Sequence, residues 1–325
     1  MYPLKFKPIY TEKIWAGNKL RKVKPSLAED QIGISWELSA HPNADNVISN
    51  GVYKGIKFSD IIQKEGRKLI GTKLECNQIL RIAYLDASQD LSIQVHPYEK
   101  YAREYEKDGE KNESWYILEA EEGAYVVAGT TTTDKELLKQ AVKNGTLENY
   151  IIKVPVKKGD FVIIKAGLLH ALGKGILAIE VGQNGDTTYR LYDYNRGRKL
   201  DIEKSFDVLN TNLRCKKPVY LSANFSDYTK HYCFFDKEYA LELIDINKEY
   251  KNISDPERYF VYTCVEGNCK IEYDLGIEEV FLGETVFIPA CLGSYIFKGN
   301  CRLIRSYIPD VDKLESEILS YVKYK

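Results

Sequence analysis

The stretch that decides the fold is GDFVIIKAGLLH (residues 159–170), because an offset copy of it recurs later as GETVFIPACLGS (residues 283–294). Each copy begins with glycine and an acidic residue, alternates apolar residues, and reaches a turn of small residues. The twelfth position is His170 in the first copy and Ser294 in the second. Upstream, WYILEAEEG (115–123) and YFVYTCVEG (259–267) match in the same order. These repeats predict one β unit used twice, with a potential metal ligand kept only in the first copy.

The composition is that of a globular protein. The chain has 325 residues, of which 44% are hydrophobic and 29% charged, enough for two domains. Lysine plus arginine (46) nearly balance aspartate plus glutamate (47), so we expect neither nucleic acid nor a membrane surface as a partner. The N-terminus lacks the apolar core of a signal peptide. Seven cysteines without a CxxC pair favour reduced thiols, so we predict a cytoplasmic protein.

Short strands separated by turns dominate the pattern. GAYVVAG, DFVIIKA, FVYTCVEG, CKIEYDLG and EEVFLGE are rich in β-branched and aromatic residues and are bounded by turn residues. In the last third, glycines recur every six to ten residues. This rhythm predicts a mainly β fold, an antiparallel sandwich or barrel with Greek-key or jelly-roll connections. The KKP stretch and the repeat spacing place a domain boundary near 216–222, dividing the chain into 1–217 and 218–325.

Helices are fewer. FSDIIQKEGRKLIG predicts a helix capped by Ser59 and ended by Gly71. TTTDKELLKQAVKNG predicts another, capped by Thr133 or Asp134 and ended by Gly145. The second repeat joins its two pieces directly, so this helix is predicted to be an insertion in the first domain.

The C-terminal segment DVDKLESEILSYVKYK predicts a further helix. Its apolar residues recur at helical spacing and are predicted to share one face. They are Leu314, Ile318, Leu319 and Val322.

Four residues of the first half have metal-ligand character. Gln94 and His96 stand two apart in SIQVHP, so their side chains leave one face of a strand. Glu113 precedes the strand beginning at Trp115, and His170 closes the first repeat. Two imidazoles, a carboxylate and an amide oxygen suit zinc. Without the amide, the set would resemble the two-histidine, one-carboxylate site of non-haem iron.

Three charged residues follow in ILAIEVGQNGDTTYRLYDYNR, namely Glu180, Asp186 and Arg190. One interpretation is an ordinary surface hairpin with a salt bridge. The other is an acid/base carboxylate, an orienting carboxylate, and an arginine that binds an oxyanion or phosphate.

Six further stretches belong together: YPLKFKPIYTEKIWAGNKL, GISWELSAHP, DLSIQVHPYEKYA, KNESWYILEA, AGLLHALGKG and QNGDTTYRLYDY. Together they resemble type I mannose-6-phosphate isomerases (phosphomannose isomerases) of the short bacterial kind. The resemblance implies two cupin domains (jelly-roll β-barrels): a catalytic domain over 1–217 with helical insertions, and a cupin-like domain over 218–325 without metal ligands.

The resemblance also implies an activity and a site. D-mannose 6-phosphate and D-fructose 6-phosphate would interconvert through a cis-enediol(ate), in a monomer or homodimer whose ligand is a small sugar phosphate. One Zn²⁺ per chain would be held by Gln94, His96, Glu113 and His170. The implied catalytic residues are Arg190, Glu180, Lys111 and Asp186, and those near the substrate are Trp15 and Ser92.

The sequence departs from the family pattern at Ala16, Ile34 and Gly185, none of which is an implied metal ligand. Two alternatives stay open. One is a cupin oxidase or dioxygenase with iron, against which Gln94, Lys111 and Arg190 argue. The other is a non-catalytic cupin that binds a sugar phosphate without turnover.

Overall fold

Strands are the commonest regular element of the computed structural model, which describes residues 1–25, 27 and 31–322. In chain order the first strands are β1 (Leu4–Lys7), β2 (Ile9–Glu12), β3 (Ile32–Leu38), β4 (Ala40–His41), β5 (Ala44–Asp45), β6 (Val47–Ile48), β7 (Arg81–Ala87), β8 (Ile93–Val95), β9 (Glu113–Ala120), β10 (Tyr125–Thr130), β11 (Ile151–Pro155) and β12 (Phe161–Ile164). They are followed by β13 (His170–Leu172), β14 (Ile176–Gly182), β15 (Tyr189–Tyr192), β16 (Leu221–Asn224), β17 (Tyr228–Phe235), β18 (Ala240–Ile246), β19 (Glu249–Ile253), β20 (Phe260–Tyr273), β21 (Gly276–Val280), β22 (Thr285–Ile288) and β23 (Ser294–Tyr307). The helices are α1 (Phe58–Glu65), α2 (Arg67–Ile70), α3 (Glu99–Tyr101), α4 (Lys135–Lys143), α5 (Ile202–Val208) and α6 (Val311–Val322).

The chain divides by its internal contacts into two compact units. The first-repeat unit comprises Tyr10–Ser35 and Ala83–Lys217. The second-repeat unit comprises Met1–Ile9, Trp36–Ile82 and Pro218–Lys325.

This division differs from the sequence-based boundary in one respect. It also separates the chain between Lys217 and Pro218, but it groups Met1–Ile9 and Trp36–Ile82 with the C-terminal part. The physical reason is strand pairing: β1 pairs with β22 on one side and with β6 on the other, and so extends the sheet of the second-repeat unit. The assignment of 1–217 and 218–325 as evolutionary domains stays a prediction.

The first-repeat unit contains two antiparallel sheets. One has the order β12-β9-β14-β7-β3-β2 and the other β11-β10-β13-β8-β15. Trp115 and Ala178 of the first sheet share one buried apolar cluster with Val126 and Leu172 of the second. The core therefore lies between the two sheets, as in the jelly-roll barrel predicted from the glycine rhythm and the resemblance.

The second-repeat unit is built on one larger sheet with the order β16-β17-β18-β23-β20-β22-β1-β6, to which β19 and β21 add at β23 and β20. Here β20 lies between β22 and β23, just as β9 lies between β12 and β14 in the other unit. The predicted repeat is thus confirmed in the order of strand pairing, and the mainly β prediction is confirmed for the chain.

The insertion in the first repeat is confirmed as α4, which lies between β10 and β11. Asp134 caps it, since its carboxylate accepts hydrogen bonds from the backbone N–H groups of Glu136 and Leu137 at 2.9 and 3.1 Å. Leu138 and Val142 face an apolar cluster. None of the helices in the described ranges combines the length and the apolar character that crossing a membrane would require.

The predicted helix over 58–71 is wrong in two details. Ser59 does not cap it, because the residue lies within α1 and its hydroxyl donates to Asp45 Oδ2 at 2.6 Å. The helix is also broken at Gly66, whose φ of 51° is left-handed. The second piece, α2, does end before Gly71 as predicted.

The C-terminal helix is confirmed as α6, but its apolar face is narrower than predicted. Leu314 is buried and Ile318 packs against the core, whereas Leu319 is 47% exposed. The side chain of Val322 lies outside the described residues.

Candidate metal centre

Three strands of the first-repeat unit bring the predicted ligands together. His170 begins β13, where it pairs in register with Gln94 of β8, and His96 follows directly after β8. Glu113 begins β9 and lies opposite Gly182 of β14. The twofold alternation of β8 turns Gln94 and His96 to the same side, as the SIQVHP spacing predicted.

The ligand atoms of His96, Glu113 and His170 lie within 4.8 Å of one another. Nε2 of His96 is 3.4 Å from Oε2 of Glu113, and Nε2 of His170 is 3.5 Å from Oε1. All three side chains are at most 1% exposed. Among the described residues, this is the one group of three histidine, cysteine or acidic side chains close enough to share a metal ion.

Hydrogen bonds at the opposite ring nitrogens decide which atoms face Glu113. Nδ1 of His96 is 2.9 Å from the Thr187 carbonyl oxygen, and Nδ1 of His170 is 2.8 Å from that of Leu168. A carbonyl only accepts, so Nδ1 carries the proton in both rings. In a neutral imidazole, Nε2 then presents a lone pair.

The residues present fit a bound cation. Burial, and next the neighbouring His96, lower the pKa of His170 to about 3, so its ring is neutral at physiological pH. The Nε2 lone pair of His170 therefore faces a carboxylate oxygen of Glu113. Within the described ranges, Nε2 of His96 makes no hydrogen bond, and neither oxygen of Glu113 does apart from its ion pair with Lys111. Buried nitrogen and oxygen atoms that converge in this way, with Lys111 at one oxygen only, are what a metal site requires.

Gln94 is at the site, but its amide is turned. Its Nε2 lies 3.4 Å from Nε2 of His170, while its Oε1 accepts a long hydrogen bond of 3.5 Å from Ser92. A metal ligand would be the amide oxygen. Rotation of the amide about its terminal bond exchanges the two atoms.

Lys111 joins Glu113 to a second carboxylate. Its ammonium is 2.8 Å from Glu113 Oε2 and 3.0 Å from Glu180 Oε1, and all three residues are buried. Burial alone would raise the pKa of Glu113, but the Lys111 ammonium and the His96 ring hold it well below its ordinary value. For Glu180, burial and then repulsion from Glu113 raise the pKa. The pKa values of Glu113 and Glu180 are thus shifted in opposite directions. Such a pair can divide two roles, because the carboxylate that stays charged can bind a metal and the one with the raised pKa can carry a proton.

Arg190 lies on β15, directly opposite Gln94 of β8. Its Nε donates to the Ser92 hydroxyl at 3.3 Å, and its Nη1 donates to the Lys199 carbonyl at 2.9 Å. Ser92 is therefore a link between Arg190 and Gln94. Burial and the nearby Arg198 lower the pKa of Arg190, whereas Asp193 and Asp201 act to raise it.

The two remaining predicted residues are placed differently. Asp186 lies in the loop between β14 and β15, where its backbone N–H donates to Asp108 at 2.9 Å. Trp15 is 4% exposed and belongs to the apolar cluster between the two sheets.

Sequence reasoning missed the residues that orient the ligands. Asn112, between Lys111 and Glu113, donates to Gln183 Oε1 at 2.7 Å and accepts from the Ala166 N–H at 2.8 Å. Asp108 accepts from the hydroxyl of Thr187, whose carbonyl binds His96. Asn112 lies in KNESW and Thr187 lies in QNGDTTYR, two stretches that also contain candidate site residues. This proximity in sequence was the signal that could have identified them.

The second repeat offers no equivalent set within the described residues. Ser294, at the position of His170, is exposed. Glu257, at the offset of Glu113, is paired with Arg258 at 2.9 Å.

Two protein-family models and a curated relative match this chain. Residues 4–137 match the family model "Phosphomannose isomerase type I, catalytic domain", and residues 229–308 match "Mannose-6-phosphate isomerase, cupin domain". A mannose-6-phosphate isomerase of Streptococcus mutans is 35% identical over 306 residues, which are 91% of this chain and 95% of that protein.

The chain belongs to the mannose-6-phosphate isomerase family.

Solved structures of the family share the fold. The crystal structure of mannose 6-phosphate isomerase from Bacillus subtilis has a TM-score of 0.88 at 30% identity, covering 94% of this chain and 99% of that one. A structure described as zinc-bound mannose 6-phosphate isomerase has a TM-score of 0.74 at 16% identity, with the same coverage, and indicates the common fold. The catalytic-domain match includes Gln94, His96 and Glu113 of the candidate metal centre.

Proposed function

We propose that this chain interconverts D-mannose 6-phosphate and D-fructose 6-phosphate, with one Zn²⁺ held in the first-repeat unit. The observation that carries the proposal is the pair of buried Nε2 atoms of His96 and His170, each turned to a different oxygen of Glu113. Membership of the mannose-6-phosphate isomerase family supplies the substrate class.

His96, Glu113 and His170 would hold the zinc, and Gln94 would complete the set with its amide oxygen. When bound, zinc supplies Lewis-acid stabilisation of the negative charge that develops on a sugar oxygen, worth several kcal/mol. The carbonyls of Leu168 and Thr187 keep both imidazoles in the tautomer that the metal needs.

Glu180 is the best placed group to move the proton between C1 and C2. Its raised pKa lets the carboxylate both accept and return a proton, while the Lys111 ammonium 3.0 Å away steadies its charged form. Because Lys111 is already paired with two buried carboxylates, it suits orientation and charge balance better than phosphate binding. Opening of the sugar ring needs a further acid or base, for which Asp186 and Lys111 are the candidates.

Arg190 would bind the phosphate or the enediolate oxygen. Lys13 supports a phosphate on this side: burial, and then repulsion from Arg198 and Arg190, lower its pKa, whereas Asp186 opposes this. A phosphate dianion would relieve that repulsion. Binding energy from the phosphate, remote from the reacting carbons, would then position C1 and C2. Ser92 would keep the Arg190 guanidinium in place.

The test is fructose 6-phosphate formation from mannose 6-phosphate, measured before chelation, after chelation and after zinc return. The proposal expects activity that is lost on chelation and restored by zinc. A folded, zinc-replete protein that binds mannose 6-phosphate without turning it over would replace this proposal with a sugar-phosphate-binding cupin. Oxygen uptake with bound iron would replace it with an oxidase.

A further inference from the structure

The second-repeat unit contains a cavity of about 520 Å³, and its lining residues do not include those of the metal centre. Strands β17, β19, β20 and β23 and the helix α6 line it. Its volume falls within the roughly 300–1,000 Å³ that is usual for small-molecule sites.

A row of polar side chains crosses the inner face of the sheet beside this cavity. In register, Tyr232 lies opposite Glu242, Glu242 opposite Arg305, and Arg305 opposite Tyr262, across four neighbouring strands. Arg305 Nη1 donates to Glu242 Oε2 at 3.1 Å, and Lys230 Nζ is 3.0 Å from the other oxygen. Apolar residues would be at least as stable in such an interior, because the attraction within a buried ion pair rarely exceeds the free energy needed to remove both charges from water.

The hydrogen bonds of this row are incomplete at one buried atom beside the cavity. Arg305 is 7% exposed and lines the cavity, and in the part of the chain that the structure describes its Nε–H has no hydrogen-bond partner. The guanidinium carbon lies 3.9 Å from the ring centre of Phe260 and 4.6 Å from that of Tyr307. Packing therefore holds the donor rigidly, although a buried donor without an acceptor costs about 1–3 kcal/mol. The part of Arg305 that lines the cavity, rather than this enclosed atom, is the part that a ligand can contact.

The charges around the cavity indicate a neutral ligand. Lys230 and Arg305 are met by Glu242 and by Glu317 of α6, whose Oε1 is 2.8 Å from Lys230 Nζ. Arg258 is paired with Asp255 and with Glu257. Because each of these buried cations already faces a carboxylate, an anion would find little surplus positive charge here.

The walls carry aromatic rings as well as polar edges. Phe225 and Tyr228 are stacked at the rim, with ring centres 4.5 Å apart, and Asn252 adds an amide. The rings that line the cavity are Phe225, Tyr228, Tyr250, Phe260, Tyr307 and Tyr321. A pyranose presents apolar C–H faces to such rings and hydroxyl edges to the guanidinium, carboxylate and amide groups.

We propose that this cavity is a second, non-catalytic binding site for a neutral sugar, a monosaccharide or a short oligosaccharide. A sugar hydroxyl accepts from the edge of the Arg305 guanidinium that lines the cavity, hydroxyls donate to Glu317, and the sugar face packs on Phe225 or Tyr228. The site is independent of the isomerase function proposed for the other unit.

The experiment is calorimetric titration of the full chain with methyl α-D-mannopyranoside and with maltose, and with inorganic phosphate as the anionic probe. Binding of at least one of the two sugars is expected, and Arg305→Gln should weaken it about tenfold, because one hydrogen bond to the ligand is lost. Arg302→Gln is the matched control. It removes a guanidinium from the other face of β23, where Arg302 pairs with Asp245, and it should leave sugar binding unchanged. His170→Ala should also leave it unchanged, which separates this site from the metal centre.

Phe225→Ala, at the exposed rim, provides a second test if Arg305→Gln does not fold, and it too should weaken sugar binding. Two results would overturn the proposal: binding of neither sugar to the wild-type chain, or sugar binding that His170→Ala abolishes while Arg305→Gln and Phe225→Ala leave it intact. Tight binding of inorganic phosphate that Arg305→Gln removes would identify an anion site instead.

Discussion

The first-repeat and second-repeat units place different chemistry on the same strand arrangement. In each, a long central strand, β9 or β20, lies between two antiparallel neighbours and contributes to a buried core. Both units also bury charged groups. In the first, the Nε2 atoms of His96 and His170 are each turned to an oxygen of Glu113, an arrangement that suits a cation. In the second, Arg305 and Lys230 are balanced by carboxylates, an arrangement that suits a neutral ligand.

The difference illustrates how one strand arrangement can carry a candidate metal centre in one unit and no equivalent set of ligands among the described residues of the other. His170 and Ser294 each begin the strand after the repeated turn, yet one is fully buried and the other is exposed. The predictions below test this contrast, from the largest expected effect to the smallest.

Replacing His170 by Ala should remove zinc and lower turnover by at least about a thousandfold, because the charge on the sugar oxygen loses its Lewis acid. Ser294→Ala, at the matching position of the second repeat, should leave both unchanged. Zinc content by mass spectrometry and kcat with mannose 6-phosphate check the pair. A folded His170→Ala protein with full zinc and full turnover would refute the ligand assignment.

Glu180→Gln should keep zinc bound but lower kcat by about 10²–10⁴-fold, because an amide of the same shape cannot carry the proton. We expect KM to change little. Glu119→Gln is the control, since Glu119 lies on β9 of the same sheet and pairs with Lys22 at 2.6 Å. Steady-state kinetics and zinc content measure the effect, and wild-type kcat in Glu180→Gln would move the proton transfer to another group.

Arg190→Ala should leave zinc in place and lower kcat/KM by about 10²–10³-fold, because a fixed cation is lost from the substrate side. Arg190→Lys should recover part of the loss, since the charge returns without the paired donors. Normal kinetics in Arg190→Ala would remove this residue from the site.

In the second-repeat unit, the ion pairs of Asp245 are expected to affect stability rather than activity. Burial acts to raise the pKa of Asp245, but hydrogen bonds from Arg302 and His231 hold it well below its ordinary value. The charged form therefore stabilises the fold at neutral pH, and this contribution is lost as the pH falls below the ordinary pKa of about 4. Asp245→Asn should lower the free energy of unfolding by about 1 kcal/mol at neutral pH.

Urea unfolding of Asp245→Asn and wild type at neutral pH and at about pH 3 measures this effect, and the difference should shrink in acid. Isomerase activity should be unchanged. A difference that stays constant with pH would show that the carboxylate charge is not the cause.

Much of the candidate site could be predicted from the sequence, because the candidate ligands lie at strand ends within recognisable stretches. The two-residue spacing of Gln94 and His96 placed both on one face, and the repeat pointed to His170. The orientation of the Gln94 amide was not accessible, because it depends on Ser92 and His170 across two strands. The inward position of Trp15 likewise follows from packing between the sheets.

The fold was predictable where local patterns decide it and not where distant segments meet. The Asp134 cap follows from residues within one turn of α4. Ser59 looked like a cap in the same way, but Asp45 binds its hydroxyl instead. Pairing of β1 with β22 joins strands at opposite ends of the chain, and no local pattern reveals it. The row containing Glu242 and Arg305 was equally hidden, since each charge alone resembles a surface residue.

The most direct test of the central claim is a zinc-edge anomalous difference map of crystals of the zinc-replete protein. The account predicts one peak per chain, between Nε2 of His96, Nε2 of His170 and the carboxylate of Glu113, that is lost in His170→Ala crystals. A catalytically active protein with no peak there, or with its zinc in the second-repeat unit, would contradict the account.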